Sequence, residues 1–247
     1  MSLVETEWLE ENLSNVKIID CSWHMPQTKR SGFNEYKIHH IPKAIFFDLD
    51  LNSKKNIKLP HMLVGMNDWE EIVSKMGIKK NDEIIIYDNS DVLSACRCWF
   101  NFIYFGHNPK LVHVLNGGLK KWIIEKRQVT TDLSNVKVSD YKCHEKKELV
   151  KNKSLIGQNI DNQKFKVIDA RSKERFEGKV PEPRKGLRSG NIKNSLCLPF
   201  NECLNDNKTF KNKEELQNIF KLCIENIYEK NIVFSCGSGV TACVLAL

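Results

Sequence analysis

One cysteine of this 247-residue chain has surroundings unlike those of the others. In Ser235-Cys236-Gly237-Ser238-Gly239-Val240-Thr241-Ala242 a thiol follows a β-branched run and precedes a helical pattern. The two glycines permit a tight loop whose backbone N–H groups turn inward. Such a nest, at the positive end of a helix, stabilises an anion. A thiol placed there is expected to favour the thiolate, which is the reactive form. The same stretch also suits an inert buried cysteine beside a Gly-rich turn. A Cys-x5-Arg loop would indicate phosphate-ester chemistry, because arginine grips phosphate oxygens in bidentate fashion. Here that arginine position is Ala242, so the clamp is missing. Taken alone, Arg175 and Arg184 read more often as surface charges than as ligands, Arg188 as a solvated residue or a secondary contact, and a lone histidine as a hydrogen-bonded structural residue.

The elements that must carry this loop are legible as short β-branched runs alternating with helical stretches. Val16–Asp20, Glu83–Tyr87 and Leu111–Leu115 form strands; Asp82 opens the second and Gly117-Gly118 ends the third. Trp69–Met76 has helical spacing and stops at Gly77. Apolar strands alternating with helices predict an α/β fold with a mainly parallel sheet. The order then recurs. Phe165–Asp169 repeats the first strand, Ser195–Phe200 echoes Ala44–Asp48, and Asn231–Ser235 repeats Ile84–Tyr87. Two related domains follow: a non-catalytic one over 1–130, a polar linker over 131–153, and a catalytic one over 154–247. Where the second has Cys236, the first has Asp88-Asn89-Ser90-Asp91, with neither thiol nor glycine. After Asp88 the first domain continues through a helix, the Leu111–Leu115 strand and a Gly118–Lys126 helix. After Cys236 the sequence runs only to Leu247, in an apolar helical run with no cap. The second domain is therefore expected to be truncated, lacking a strand and a helix.

Composition excludes several classes. With 41% hydrophobic, 28% charged and 9% aromatic residues, the chain is not disordered, collagenous or a coiled coil. No apolar run approaches the roughly 18–20 residues of a membrane span. The acidic, amphipathic Met1–Leu13 stretch lacks the basic and apolar regions of a secretory signal. The net charge of +7 is scattered, in clusters as short as Lys79-Lys80 and Lys146-Lys147, which argues against a nucleic-acid footprint. Nine cysteines, an odd number in a long chain, do not read as a disulfide framework. There is no CxxC, and Cys96-x-Cys98 and Cys21-x-x-His24 have no matching second pair, so structural zinc is not expected. Free thiols in a reducing cytoplasm, most of them small buried hydrophobes, are the expectation.

Further motifs occur in a fixed order: Asp20-Cys21-Ser22-Trp23, His40–Asp50, Pro60-His61-Met62-Leu63, Phe105-Gly106-His107, Leu115-Asn116-Gly117-Gly118-Leu119, Asp169-Ala170-Arg171, Arg175-Phe176 and Pro181-Glu182-Pro183-Arg184. With Cys236–Thr241, they make the chain resemble the tandem rhodanese-domain sulfurtransferases along essentially its whole length, specifically their 3-mercaptopyruvate branch. The thiosulfate branch usually places basic residues directly after the cysteine, where this chain has Gly237 and Ser238. The resemblance implies that Cys236 is a nucleophile that becomes a persulfide, with Gly237, Gly239, Val240 and Thr241 lining the substrate loop. It implies that Arg175 and Arg184 hold the carboxylate and keto group of the donor. Asp50, His61 and Ser238 would form a relay at the domain interface. It also implies release of pyruvate, no cofactor and no metal, and a second substrate that is cyanide or a thiol such as reduced thioredoxin. The sequence departs from the family pattern at Asn191, usually His, at Lys193-Asn194, commonly Pro-Gly, and at Val64, commonly Pro. The alternatives are a thiosulfate sulfurtransferase and a truncated, inactive binding or regulatory module of the same fold.

Overall fold

Ile84, Ile85, Ile86 and Tyr87 are all fully buried, as expected for a strand covered on both faces in a parallel sheet. The structure is a computed structural model that describes residues 2–224 and 231–247. It divides into two units, 1–147 and 148–246. The first runs β1 (Leu3–Val4), α1 (Thr6–Asn12), β2 (Lys17–Asp20), α2 (Gly32–Ile38), β3 (Ile45–Phe46), α3 (Met66–Lys75), β4 (Ile84–Tyr87), α4 (Ser94–Tyr104), β5 (Val112–Leu115) and α5 (Gly118–Ile124). Its sheet has the order β1-β5-β4-β2-β3, and every pairing is parallel. Leu9, Ile18, Tyr36, Ile41, Tyr87, Leu119 and Trp122 form its core.

The second unit runs α6 (Lys153–Asn162), β6 (Lys166–Asp169), α7 (Lys173–Phe176), β7 (Leu196–Cys197), α8 (Lys213–Lys221), β8 (Ile232–Ser235) and α9 (Ala242–Ala246). Its sheet is parallel in the order β7-β6-β8. Among the described residues it has no counterpart of β5. Ile168, Ala170, Leu198, Cys203, Ile224 and Leu245 make its core. Asn152 caps α6 by accepting from Leu155 N–H, and Asn212 with Glu215 forms a capping box on α8.

The two sheets share one register. Asp20 lies opposite Tyr87 on β4, and Asp169 lies opposite Ser235 on β8. Asp88 and Cys236 therefore leave their sheets at the same place, the carboxyl end of a central strand, where α/β folds gather their functional loops. Asn191, in the usual histidine position, donates from Nδ2 to Phe176 O at 3.0 Å. In the first unit, His40 Nδ1 bonds Tyr36 O at 2.7 Å, so the amide serves an anchoring role like that of the ring.

Two boundaries differ from expectation. Leu111 lies in a 3-10 turn over Pro109–Leu111, which Pro109 starts, and the strand begins at Val112. Residues 131–147, expected as linker, fold onto the first unit. Tyr141 is fully buried and stacks on His107. Its hydroxyl sits 3.0 Å from His107 Nδ1, and Ser139 Oγ donates to Ile78 O at 2.6 Å.

Candidate active site

Cys236 is half-buried at the end of β8. Gly239 N–H donates to its Sγ at 3.1 Å, so the loop turns one backbone dipole onto the sulfur. Gly239 adopts φ +75°, a conformation L side chains rarely take. Val240 is buried, its carbonyl accepting from Cys243 N–H at 3.1 Å, and Thr241 O accepts from Val244 N–H at 3.1 Å. These bonds close the turn into α9, and Cys243 Sγ bonds Gly239 O at 3.1 Å.

Two guanidinium groups converge on Gly237, the residue after the thiol. Arg184 Nη2 donates to the Gly237 carbonyl. A Cβ on Gly237 would stand 3.2 Å from Arg175 Nη2, so the missing side chain admits that arginine. Arg175 is held by Glu182, with Nη2 at 2.6 Å and Nε at 3.2 Å from the carboxylate. Arg171 Nη1 reaches the same carboxylate at 2.8 Å, while its Nη2 grips Asp169 at 2.6 Å. Arg175 and, less strongly, Arg171 hold the Glu182 carboxyl below its usual range despite burial. Asp169 and the other carboxylate contacts push the Arg171 guanidinium up. The other thiols differ in setting: burial pushes Cys197 and Cys203 up to about 11, and Cys223 is raised for the same reason.

In the first unit, His61 Nε2 lies 2.9 Å from Asp50 Oδ1, and Trp23 Nε1 donates to Asp50 Oδ2 at 2.9 Å. The Trp23 and His61 rings meet edge to face at 4.8 Å. His61 takes the left-handed φ +55°. Arg97 Nη2 fixes its carbonyl at 2.5 Å. Hydrogen bonds from His61 and Trp23 keep the Asp50 carboxyl below its usual range. The other ring nitrogen of His61, Nδ1, is buried and has no hydrogen-bond partner among the described residues. The structure thus joins Asp50 to His61; Ser238 belongs to the loop of the second unit. His40, His107 and His113 make structural contacts, with Tyr36 O, Tyr141 and Glu83. Arg188 makes none of the contacts around Gly237.

The first unit's counterpart of the loop is also ordered. Asp88 is buried, and its carboxylate accepts Ser90 N–H at 3.0 Å and Ala95 N–H at 2.6 Å. Arg30 Nη2 donates to Asn89 O at 3.2 Å, as Arg184 does to Gly237 O. Sequence reasoning passed over Trp23, Arg97, Arg171 and Glu182 as functional residues. Only Trp23, Arg171 and Glu182 carried any signal, by standing inside the quoted motifs.

Among the described residues, no group of three or more His, Cys, Asp or Glu could hold a metal ion. No described helix is long and apolar enough to cross a membrane. The rhodanese-like domain model matches residues 5–125 and 153–247. The Arabidopsis thaliana mitochondrial thiosulfate/3-mercaptopyruvate sulfurtransferase 1 is 37% identical over 269 residues, covering 99% of this chain and 70% of the relative. The mouse 3-mercaptopyruvate sulfurtransferase is 33% identical, covering 100% of this chain and 84% of the relative. The crystal structure of SseA from Escherichia coli, a 3-mercaptopyruvate sulfotransferase, superposes with a TM-score of 0.89 at 30% identity, covering 100% of this chain and 92% of that one. A doubled match to one domain model, full-length likeness to these enzymes, and a cysteine loop at the end of β8 place the chain in the tandem rhodanese-domain sulfurtransferase family.

Proposed function

We propose that this sulfurtransferase takes sulfur from 3-mercaptopyruvate and passes it to a thiol or cyanide through a persulfide on Cys236. The observation that carries the reading is the convergence of Arg175 and Arg184 on the residue next to a thiol that accepts a backbone N–H. Guanidinium forks suit the planar carboxylate and keto group of a small 2-keto acid. The Cys236 thiolate forms an S–S bond to the donor sulfur. The donor's C–S bond breaks, its electron pair leaves in pyruvate enolate, and the enolate takes up a proton. The Gly239 N–H, aimed at Sγ, steadies the anionic sulfur. An acceptor thiolate then attacks the outer sulfur and leaves with it, restoring the Cys236 thiolate. A dithiol such as reduced thioredoxin suits this step, because its second thiol expels the sulfur as hydrosulfide and closes a disulfide. The covalent intermediate makes the kinetics ping-pong.

The Asp50–His61 pair has the orienter–base form of a triad. In our reading Asp50 orients His61 as the base of the family relay, and Ser238 is the hydroxyl that the relay uses. No step needs a metal or organic cofactor. Nine unbridged cysteines suit a reducing compartment; we assign the cytoplasm, although the Arabidopsis relative is named as mitochondrial.

Cys236→Ser tests the proposal. It should abolish pyruvate release while leaving the circular dichroism spectrum unchanged. Mass spectrometry of the wild type after donor treatment should find one added sulfur on the Cys236 peptide. An added sulfur on the Cys243 peptide instead overturns the assignment, and thiosulfate as the better donor in kcat/KM moves the chain to the other branch.

A further inference from the structure

The two arginines beside Gly237 are electrically unlike. Arg175 is paired with Glu182, whose side chain is only 5% exposed. Glu182 is shared with Arg171, and Arg171 is paired with Asp169, itself 4% exposed. Asp169, Arg171, Glu182 and Arg175 therefore alternate in sign and cancel. Arg184 rests on an uncharged carbonyl and makes no ion pair among the described residues. Apart from the reacting thiolate, the arrangement leaves one guanidinium at the loop, that of Arg184, without a carboxylate partner among the described residues.

We propose that Glu182 determines which sulfur donor the site accepts: by neutralising Arg175 it fits the site to a donor with one negative charge. This rests on the reading of Cys236 as the sulfur-accepting nucleophile. Arg184 takes the carboxylate of the 2-keto acid in a charged, bidentate pair. Arg175, already satisfied by Glu182, offers its remaining N–H to the keto oxygen, which carries no charge. A dianionic donor such as thiosulfate would leave its second charge uncompensated in a partly desolvated loop, and that is costly. Its reaction, attack of the Cys236 thiolate on the outer sulfur with sulfite leaving with the bonding pair, is chemically open but electrostatically disfavoured. Selectivity of this kind comes from the mismatch with the competitor as much as from the fit to the substrate.

Glu182→Gln keeps the size and one acceptor but frees the charge of Arg175. We expect kcat/KM for 3-mercaptopyruvate to fall about tenfold and kcat/KM for thiosulfate to rise about tenfold, each being one decade of transition-state binding. Glu182→Asp, which keeps the charge, should retain the wild-type order of donors. A merely structural role would lower both rates together, and an unchanged ratio or a joint loss overturns the proposal. The wild type supplies a measurement independent of any variant: calorimetry should show pyruvate, a monoanion, binding more tightly than malonate, a dianion. Equal or tighter malonate binding overturns the proposal. If the wild type forms no persulfide from either donor, the parent reading falls and this one with it. An active wild type with an unaltered ratio in Glu182→Gln sinks this inference alone.

Discussion

Gly237 and Gly239 stand in one loop and are glycine for different reasons. Gly239 needs its backbone conformation, at φ +75°. Gly237 does not lie in the left-handed region; it needs room, because a Cβ would press on Arg175 Nη2 at 3.2 Å. Gly237→Ala is therefore expected to fold normally and to push the end of a flexible side chain aside by a few tenths of an ångström. KM for the keto-acid donor should rise roughly three- to tenfold with kcat nearly kept, the mark of a contact present from binding onward. An unchanged KM would show that Arg175 does not touch the donor. The Cys236 loop was legible in the sequence because its chemistry is local: thiol, glycines and strand end are consecutive. Glu182 and Trp23 were not legible as partners. Trp23 meets Asp50 across 27 residues, and no periodicity encodes which carboxylate a distant indole will find.

At the scale of elements, β4 and β8 end alike but are followed by different loops. The thiol loop turns on Gly239. Its counterpart turns on Leu93 in the left-handed region, at φ 49°, and the Asp88 carboxylate ties the turn to the first residues of α4 through Ala95 N–H. Burial pushes Asp88 up to about 7, against the pull of its two backbone hydrogen bonds, with Asp20 and Asp91 adding to the rise. The sign follows from linkage: between the unfolded value near 3.8 and about 7, the folded chain binds more protons, so this group's contribution to stability falls as pH rises through that window. Asp88→Asn cannot ionise. The urea midpoint of the wild type, relative to that variant, should therefore drop between pH 5 and pH 8. A gap that stays constant across this range would mean that Asp88 does not titrate there. The strands β2, β4, β5, β6 and β8 were readable because each is a four-residue, largely apolar run, buried in most of β2, β4, β5 and β6 and half-buried in β8. β1, β3 and β7 have two residues each. Such strands are set by their neighbours' open edges, which no single stretch of sequence reports.

The whole molecule consists of two units with separate cores. A polar composition suggested that the first ends near residue 130, yet Tyr141 is fully buried beyond that point. Composition averages over a segment, and one aromatic side chain among lysines and serines is enough to dock it. A fragment of residues 1–147 should unfold cooperatively in urea. A fragment of 1–130, without Tyr141 and the Ser139 bond, should be less stable by about 3 kcal/mol or more, as for other deletions of a buried aromatic ring. Equal midpoints would return residues 131–147 to the status of a tether. In both units an arginine donates to the carbonyl of the second residue past the strand end, Asn89 in one and Gly237 in the other. The second of these contacts bears on turnover. On the proposed reading Arg184 is not left unpaired in the empty enzyme, since the Gly237 carbonyl stands in for the donor's carboxylate. Donor binding would then exchange a neutral acceptor for a charged one, and affinity would reflect only that difference. When pyruvate departs, the carbonyl would reclaim the guanidinium, so product release would leave no unpaired charge behind. A double-displacement enzyme benefits from this, because its first product must vacate the loop before the sulfur acceptor can enter.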